Sequence, residues 1–138
     1  MAETTRFSVS MDAELLARFE SRVRRRGNKN RSEALRDIIR EALVREEWAG
    51  NDEIVGTITL VYDHHRRELT DRLTKIQHRY HAAVLSSMHV HLDHDNCLEV
   101  IALRGTANDV QRIADTLIAT RGVKHGTLAA TTTGKKIS

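Results

Sequence analysis

The first apolar positions in the chain alternate. Across residues 5–11 (TRFSVSM), Phe7, Val9 and Met11 fall on one side and Arg6, Ser8 and Ser10 on the other. A period of two predicts a strand. Asp12 follows as an N-cap, with Glu14 in the first turn, where the helix dipole favours an acid. Leu15, Leu16, Phe19 and Val23 recur at helical spacing, and Gly27 stands ready to stop the helix after Arg24, Arg25 and Arg26. A second helix starts near Asn30. Asn30-Arg31-Ser32-Glu33 reads as a capping box in which Glu33 reaches back to the cap. Leu35, Ile38, Ile39, Ala42 and Leu43 form its apolar face, which fades around Trp48. Ala49-Gly50-Asn51-Asp52 is a short polar break and the candidate linker.

The remainder predicts strand, helix, strand, strand, helix, strand. Residues 54–62 are rich in β-branched side chains, and Leu69, Leu73 and Ile76 mark a helix over 64–80. Two apolar runs, 84–92 and 96–104, are joined by Asp93-His94-Asp95, a hairpin signal. Val110, Ile113, Ala114 and Leu117 share a helical face within 107–120, and 123–130 closes with a short strand. The order β-α-β-β-α-β is the ferredoxin-like α+β arrangement, an antiparallel sheet with helices on one face. The last eight residues, TTTGKKIS, read as a frayed tail.

Composition narrows the class. A chain of 138 residues holds one ordinary domain or two very small ones. A very small domain buries too little surface alone and leans on a partner chain or a metal. Aromatic residues are 4% of the chain, so Leu, Ile, Val and Ala must fill the core. The formal charge of +3 permits nucleic-acid binding without establishing it. Neither an apolar leader nor a run near the roughly 18 residues of a membrane span is present. The expectation is a cytoplasmic protein with no membrane partner. A single cysteine excludes an intrachain disulfide and leaves filler, reactive thiol or metal ligand.

The N-terminal unit has a physical problem with one good solution. A strand and two helices cannot bury themselves in some fifty residues, and the strand has no partner. Pairing it antiparallel with the same strand of a second chain makes a two-stranded ribbon that displays Arg6, Ser8 and Ser10 from each copy. Such a ribbon fits the DNA major groove, where Arg pairs with guanine and Ser reads several base edges. The helix start at Asn30, Arg31 and Ser32 offers backbone N–H groups to a phosphate. Arg24, Arg25, Arg26, Lys29 and Arg31 add attraction independent of sequence. The stretch resembles the ribbon-helix-helix family through RFSVSMD, Gly27 and NRSEALRDIIREAL.

The segment Met88 to Cys97 (MHVHLDHDNC) carries the most chemistry. His89 and His91 are two apart on a strand and leave the same face, while Val90 and Leu92 point into the core. Cys97 opens the return strand and comes back beside them. Two imidazoles and a thiolate suit a transition metal without choosing among zinc, copper and nickel. A fourth position stays open to water or to His64, His65, His78 or His81. Glu99, on the face of Cys97, is a partner for a ligand or, less well, the base of a metallohydrolase. The attached DNA reader favours a sensor over an enzyme. A regulator sensing a small organic ligand, or an antitoxin-like module, are the other classes left open.

With both halves in view, the chain resembles the NikR family of nickel-responsive transcriptional regulators from about Arg6 to Gly126. The resemblance rests on the ribbon-helix-helix segment, VYDHHRREL, the Gln77-His78 pair, HVHLDHDNCLEV and RGVKHG. It implies a DNA-binding domain over 1–49 and an ACT-type metal-binding and tetramerisation domain over 53–131. It implies one square-planar nickel per subunit, held by His89, His91 and Cys97 of one chain and His78 of another in a dimer of dimers. Tyr62 and Glu99 match positions behind the ligands. Arg66 and Arg67 match positions that approach the DNA backbone. Glu33 and Asp37 match a pair used for a potassium-type cation at the domain interface. Family members mostly repress nickel-uptake genes and take no small organic substrate. Some relatives carry consecutive histidines after the glutamine; here the run is Gln77-His78-Arg79-Tyr80-His81, so further metal sites do not carry over. Ser8 and Ser10 stand where some relatives have Thr, which bears on the operator read.

Overall fold

The structure, a computed structural model, describes residues 3–138. Among these, no strand precedes the first helix. Phe7 and Val9 are 69% and 59% exposed. The alternation expected over residues 5–11 therefore forms no ladder within one chain. The reason is physical: a strand's hydrogen bonds need a second strand, and this chain has none to offer there.

Helix α1 (Ala13–Arg26) is capped as its sequence dictates. The Asp12 carboxylate accepts from the Leu15 N–H at 2.9 Å. Gly27 ends the helix at φ 72°, where its N–H reaches the Arg24 and Val23 carbonyls. Only glycine takes that left-handed turn without strain. Helix α2 (Arg31–Ala49) opens with the Asn30 side chain accepting from the Glu33 N–H at 2.9 Å. The returning half of the box is shifted by one residue. The Glu33 carboxylate accepts from the Lys29 N–H at 3.1 Å, not from Asn30.

The chain divides into two compact units. One runs to Leu43 and includes Lys136–Ser138; the other is Val44–Lys135. In the first, α1 buries no residue, and Phe7, Val9, Met11, Leu15, Ile39 and Leu43 are all exposed. Among the described residues of this unit, nothing covers that apolar surface. The C-terminal residue is not frayed as expected: Arg40 Nε donates to the Ser138 carbonyl at 2.8 Å.

The second unit is a four-stranded antiparallel sheet in the order β2-β3-β1-β4. Its strands are β1 (Glu53–Asp63), β2 (Val84–His91), β3 (Asn96–Thr106) and β4 (Val123–Thr132). Helices α3 (Arg67–Arg79) and α4 (Ala107–Ile118) complete the ferredoxin-like order. Ile54, Ile58, Leu60, Ile101 and Leu103 cluster with Leu69, Leu73, Val110, Ile113 and Leu117 to form the core. The end of α2 joins this unit through Trp48, whose indole N–H donates to the Thr131 carbonyl at 2.8 Å. No helix among the described residues is long and apolar enough to cross a membrane.

Packing is close where β4 meets α4. A Cβ at Gly126 would lie 2.7 Å from Ile118 Cγ1 and 2.9 Å from Leu60 Cδ2. Gly126→Ala is expected to destabilise the fold by about 1–3 kcal/mol through overpacking. Urea unfolding, read as a lowered midpoint at unchanged slope, checks this.

Candidate metal centre and nucleic-acid interface

Register decides which side chains meet. His91 lies opposite Cys97, and His89 opposite Glu99, across the β2–β3 ladder. Tyr62 lies opposite Cys97 on the other side. Residues directly opposite one another share a face. His89, His91, Cys97, Glu99 and Tyr62 therefore share the face that carries the core, since Tyr62, Cys97 and Glu99 are buried. The expectation that Val90 and Leu92 enter the core is corrected here. Val90 lies opposite Leu98 on the other face, and Val90 and Leu92 are 36% and 52% exposed. Strand β2 is at the sheet edge and, apart from Val84 at its start, is exposed throughout.

The donors form a graded set. Cys97 is a free thiol, 3% exposed. Burial pushes it up from the ordinary thiol range; the hydrogen bond with Tyr62 opposes this and the Glu99 charge adds to it. The His89 side chain is 54% exposed. His78, in the last turn of α3, is exposed, with its ring 6.1 Å from that of His81. One chain thus carries two imidazoles and a thiol at neighbouring positions of two strands, and His78 on helix α3. The set suits a borderline-to-soft ion such as nickel, zinc or copper. The ligand atoms of the three strand residues do not converge within 4.8 Å of one another in the isolated chain. Among the described residues, the group of three that does so is His65, His94 and Asp95.

Behind the donors lies a closed polar node. Glu99 is 1% exposed, a costly place for a carboxylate unless its oxygens are satisfied. Tyr62 Oη donates to Glu99 Oε1 at 2.6 Å. Gln77 Nε2 and Ser87 Oγ donate to Glu99 Oε2 at 2.8 and 2.9 Å. His89 Nε2 stands 3.5 Å from the same oxygen. Burial and these contacts with Glu99 raise Tyr62 well above the usual phenol range, so its proton stays on. Sequence reasoning singled out Tyr62 and Glu99 but gave no role to Ser87. Ser87 is two residues before His89, and the strand period alone places it on the same face.

The DNA-facing candidates are all accessible. Arg6, Ser8 and Ser10 are exposed on the unpaired N-terminal segment. Asn30, Arg31 and Ser32 are exposed at the start of α2, with Arg31 paired to Glu20. Arg66 and Arg67 open α3 and line a cleft of about 620 Å³ with Glu68, Leu69, Arg72 and Arg121. Four guanidinium groups against one carboxylate make that cleft attractive to phosphate. Arg72 and Arg121 were not singled out by the sequence, because only the fold brings them beside Arg66. Asp37 accepts from Asn28 Nδ2 at 3.0 Å and Arg40 Nη1 at 3.1 Å, so it and Glu33 each have a donor within the chain.

Comparison with known proteins agrees with this division. Residues 5–46 match the model of ribbon-helix-helix proteins of the copG family. Residues 55–131 match the NikR C-terminal nickel-binding domain. A protein of Geobacter sulfurreducens is 55% identical over 138 residues, covering 99% of both chains, and bears the name "Putative nickel-responsive regulator". Proteins of Solibacter usitatus (53% identical, 99% of both chains) and Nitratidesulfovibrio vulgaris (51%, 100% of both) carry the same name. An uncharacterized protein of Thermotoga maritima has a related fold, with a TM-score of 0.51 at 11% identity over 57% of this chain and 98% of its own. A ribbon-helix-helix segment joined to a nickel-binding domain, in relatives matched end to end, makes this chain a member of the NikR family of nickel-responsive, DNA-binding transcriptional regulators.

Proposed function

We propose that the chain represses nickel-uptake genes from the cytoplasm, as a homotetramer that binds double-stranded operator DNA when nickel is held between subunits. One observation carries this reading. His89 and His91 on the edge strand β2 lie at positions adjoining Cys97 on β3, and the fourth candidate, His78, is on a separate element, helix α3. A donor set left incomplete within one chain is completed by a second. In this reading each chain contributes His89, His91 and Cys97 to one nickel ion and His78 to another, giving one ion per subunit.

The functional domains are taken as 1–49 and 53–131. The uncovered apolar residues Phe7, Val9 and Met11 pair with the same segment of a partner to build the ribbon. Arg6, Ser8 and Ser10 then read bases, while Asn30, Arg31, Ser32, Arg66 and Arg67 hold phosphates. Glu33 and Asp37 are the acidic pair for a potassium ion. When bound, nickel supplies a link between donors of two chains and positive charge beside the Cys97 thiolate. The chain's own residues do the rest. Glu99 orients His89, and through Gln77 it ties the end of α3, where His78 sits, to the strand that bears Cys97. A shift of α3 against the sheet is thereby felt at the ligands.

Metal can favour the DNA-binding arrangement only by binding it more tightly than the alternative. The coupling is reciprocal and typically about 1–3 kcal/mol. Nickel affinity is therefore expected to rise several-fold to a hundredfold, in that same range, when a cognate DNA duplex is bound. Calorimetric titration with and without the duplex tests this. Equal affinities in the two titrations would remove the coupling.

A further inference from the structure

Some arginines of the second unit are answered by acids: Arg104 pairs with Glu53, and Arg112 with Asp109. The cleft at the start of α3 is different. It gathers Arg66, Arg67, Arg72 and Arg121 around about 620 Å³, with Glu68 as its one carboxylate. Glu68 stands 3.9 Å from Arg72, and its side chain is 92% exposed, so this pair contributes little. Arg66, Arg67 and Arg121 form no ion pair among the described residues. Guanidinium groups brought together without acids repel one another, and an anion between them removes that cost.

Backbone hydrogen bonds set both walls of the cleft. On one side, the Arg66 N–H donates to the Asp63 carbonyl at 3.2 Å, and the Leu69 and Thr70 N–H groups donate to the Arg66 carbonyl at 3.1 Å. On the other, the Val123 N–H donates to the Thr120 carbonyl at 3.1 Å, with Arg121 and Gly122 as the central residues of that turn. Gly122 has φ 102°, which favours glycine at this turn position. It also keeps the cleft open. A Cβ there would lie 3.0 Å from Leu69 Cδ2 and 3.4 Å from Arg66 Nη1, pressing on two lining residues.

We propose that this cleft is a binding site for a small diphosphate or triphosphate anion, and that the anion competes with duplex DNA for Arg66 and Arg67. Guanidinium forks match phosphate oxygens two at a time. A recess of this volume suits a small ligand, whereas a duplex presents its phosphates on a convex surface. No aromatic side chain lines the cleft, so a nucleotide base finds no stacking platform. Recognition therefore falls on the phosphate chain. The competition rests on the reading of Arg66 and Arg67 as DNA contacts given above; the anion site does not.

Calorimetric titration of pyrophosphate into the tag-free full chain, without metal or DNA, tests the site apart from that reading. One pyrophosphate per chain is expected. Arg72→Gln or Arg121→Gln should weaken binding by about tenfold or more, as the loss of a charge-assisted hydrogen bond. Glu68→Gln should tighten it several-fold, a gain that a damaged fold would not give. Pyrophosphate binding that none of the three substitutions alters, or that is no tighter than sulfate binding, would overturn the site. ADP should bind no more tightly than pyrophosphate; binding tenfold tighter would contradict recognition through the phosphate chain. Mobility shift at matched ionic strength and matched free nickel tests the competition. Pyrophosphate should lower the affinity of the parent protein for a cognate duplex, and do so much less in Arg121→Gln at the same concentration. Duplex binding unchanged in the parent while the anion is bound would remove the competition.

Discussion

Cys97→Ala is expected to abolish the thiolate-to-nickel absorption band and to weaken nickel-dependent operator binding by more than about 100-fold. Cys97 is the only thiol in the chain, so no neighbour can replace it. Residues that merely support a ligand typically cost about 10–100-fold in affinity when lost, and a ligand costs more. The fold should survive. The sulfur is small, and its loss costs roughly the 1 kcal/mol of one buried methylene-sized group. Circular dichroism and urea unfolding confirm an intact fold, and electrophoretic mobility shift reads the DNA binding. Operator binding that still responds fully to nickel would remove Cys97 from the mechanism.

Arg6→Ala is expected to have the complementary effect. A bidentate Arg–guanine contact is worth about 1–3 kcal/mol of discrimination. A ribbon carries two copies, so specific binding should fall roughly 30-fold or more, at 1.4 kcal/mol per factor of ten. Binding to unrelated duplexes should change much less, because phosphate attraction from Arg24, Arg25, Arg26 and Lys29 remains. The nickel absorption band should be untouched. Equal losses on specific and unrelated DNA would make Arg6 a phosphate contact instead.

What the sequence revealed was what is local. The Asp12 and Asn30 caps and the Gly27 stop each depend on a few adjacent residues, and each appears in the structure. The alternation over residues 5–11 was legible, but among the described residues the strand it predicts does not form within one chain. Strand β2 was legible as a strand, yet its inner face was misread. Met88, Val90 and Leu92 alternate with His89 and His91, and hydrophobicity favoured the aliphatic set as core. The choice lies instead with β3, whose Cys97 and Glu99 are buried opposite His91 and His89. Because β2 is an edge strand, both sets stay exposed, and register alone puts the histidines on the face that carries the core. Contacts between distant positions were out of reach for the same reason. Gln77 and Glu99 are 22 residues apart, and His65 and His94 are 29. Only the crossing of helix and sheet, or of loop and turn, joins them.

Control of DNA binding by nickel is tested most directly by selecting duplexes from a random library on the tag-free protein, with and without nickel. A sequence made of two related half-sites should be enriched in the nickel arm alone. Enrichment of the same sequence to the same degree without metal would contradict nickel control.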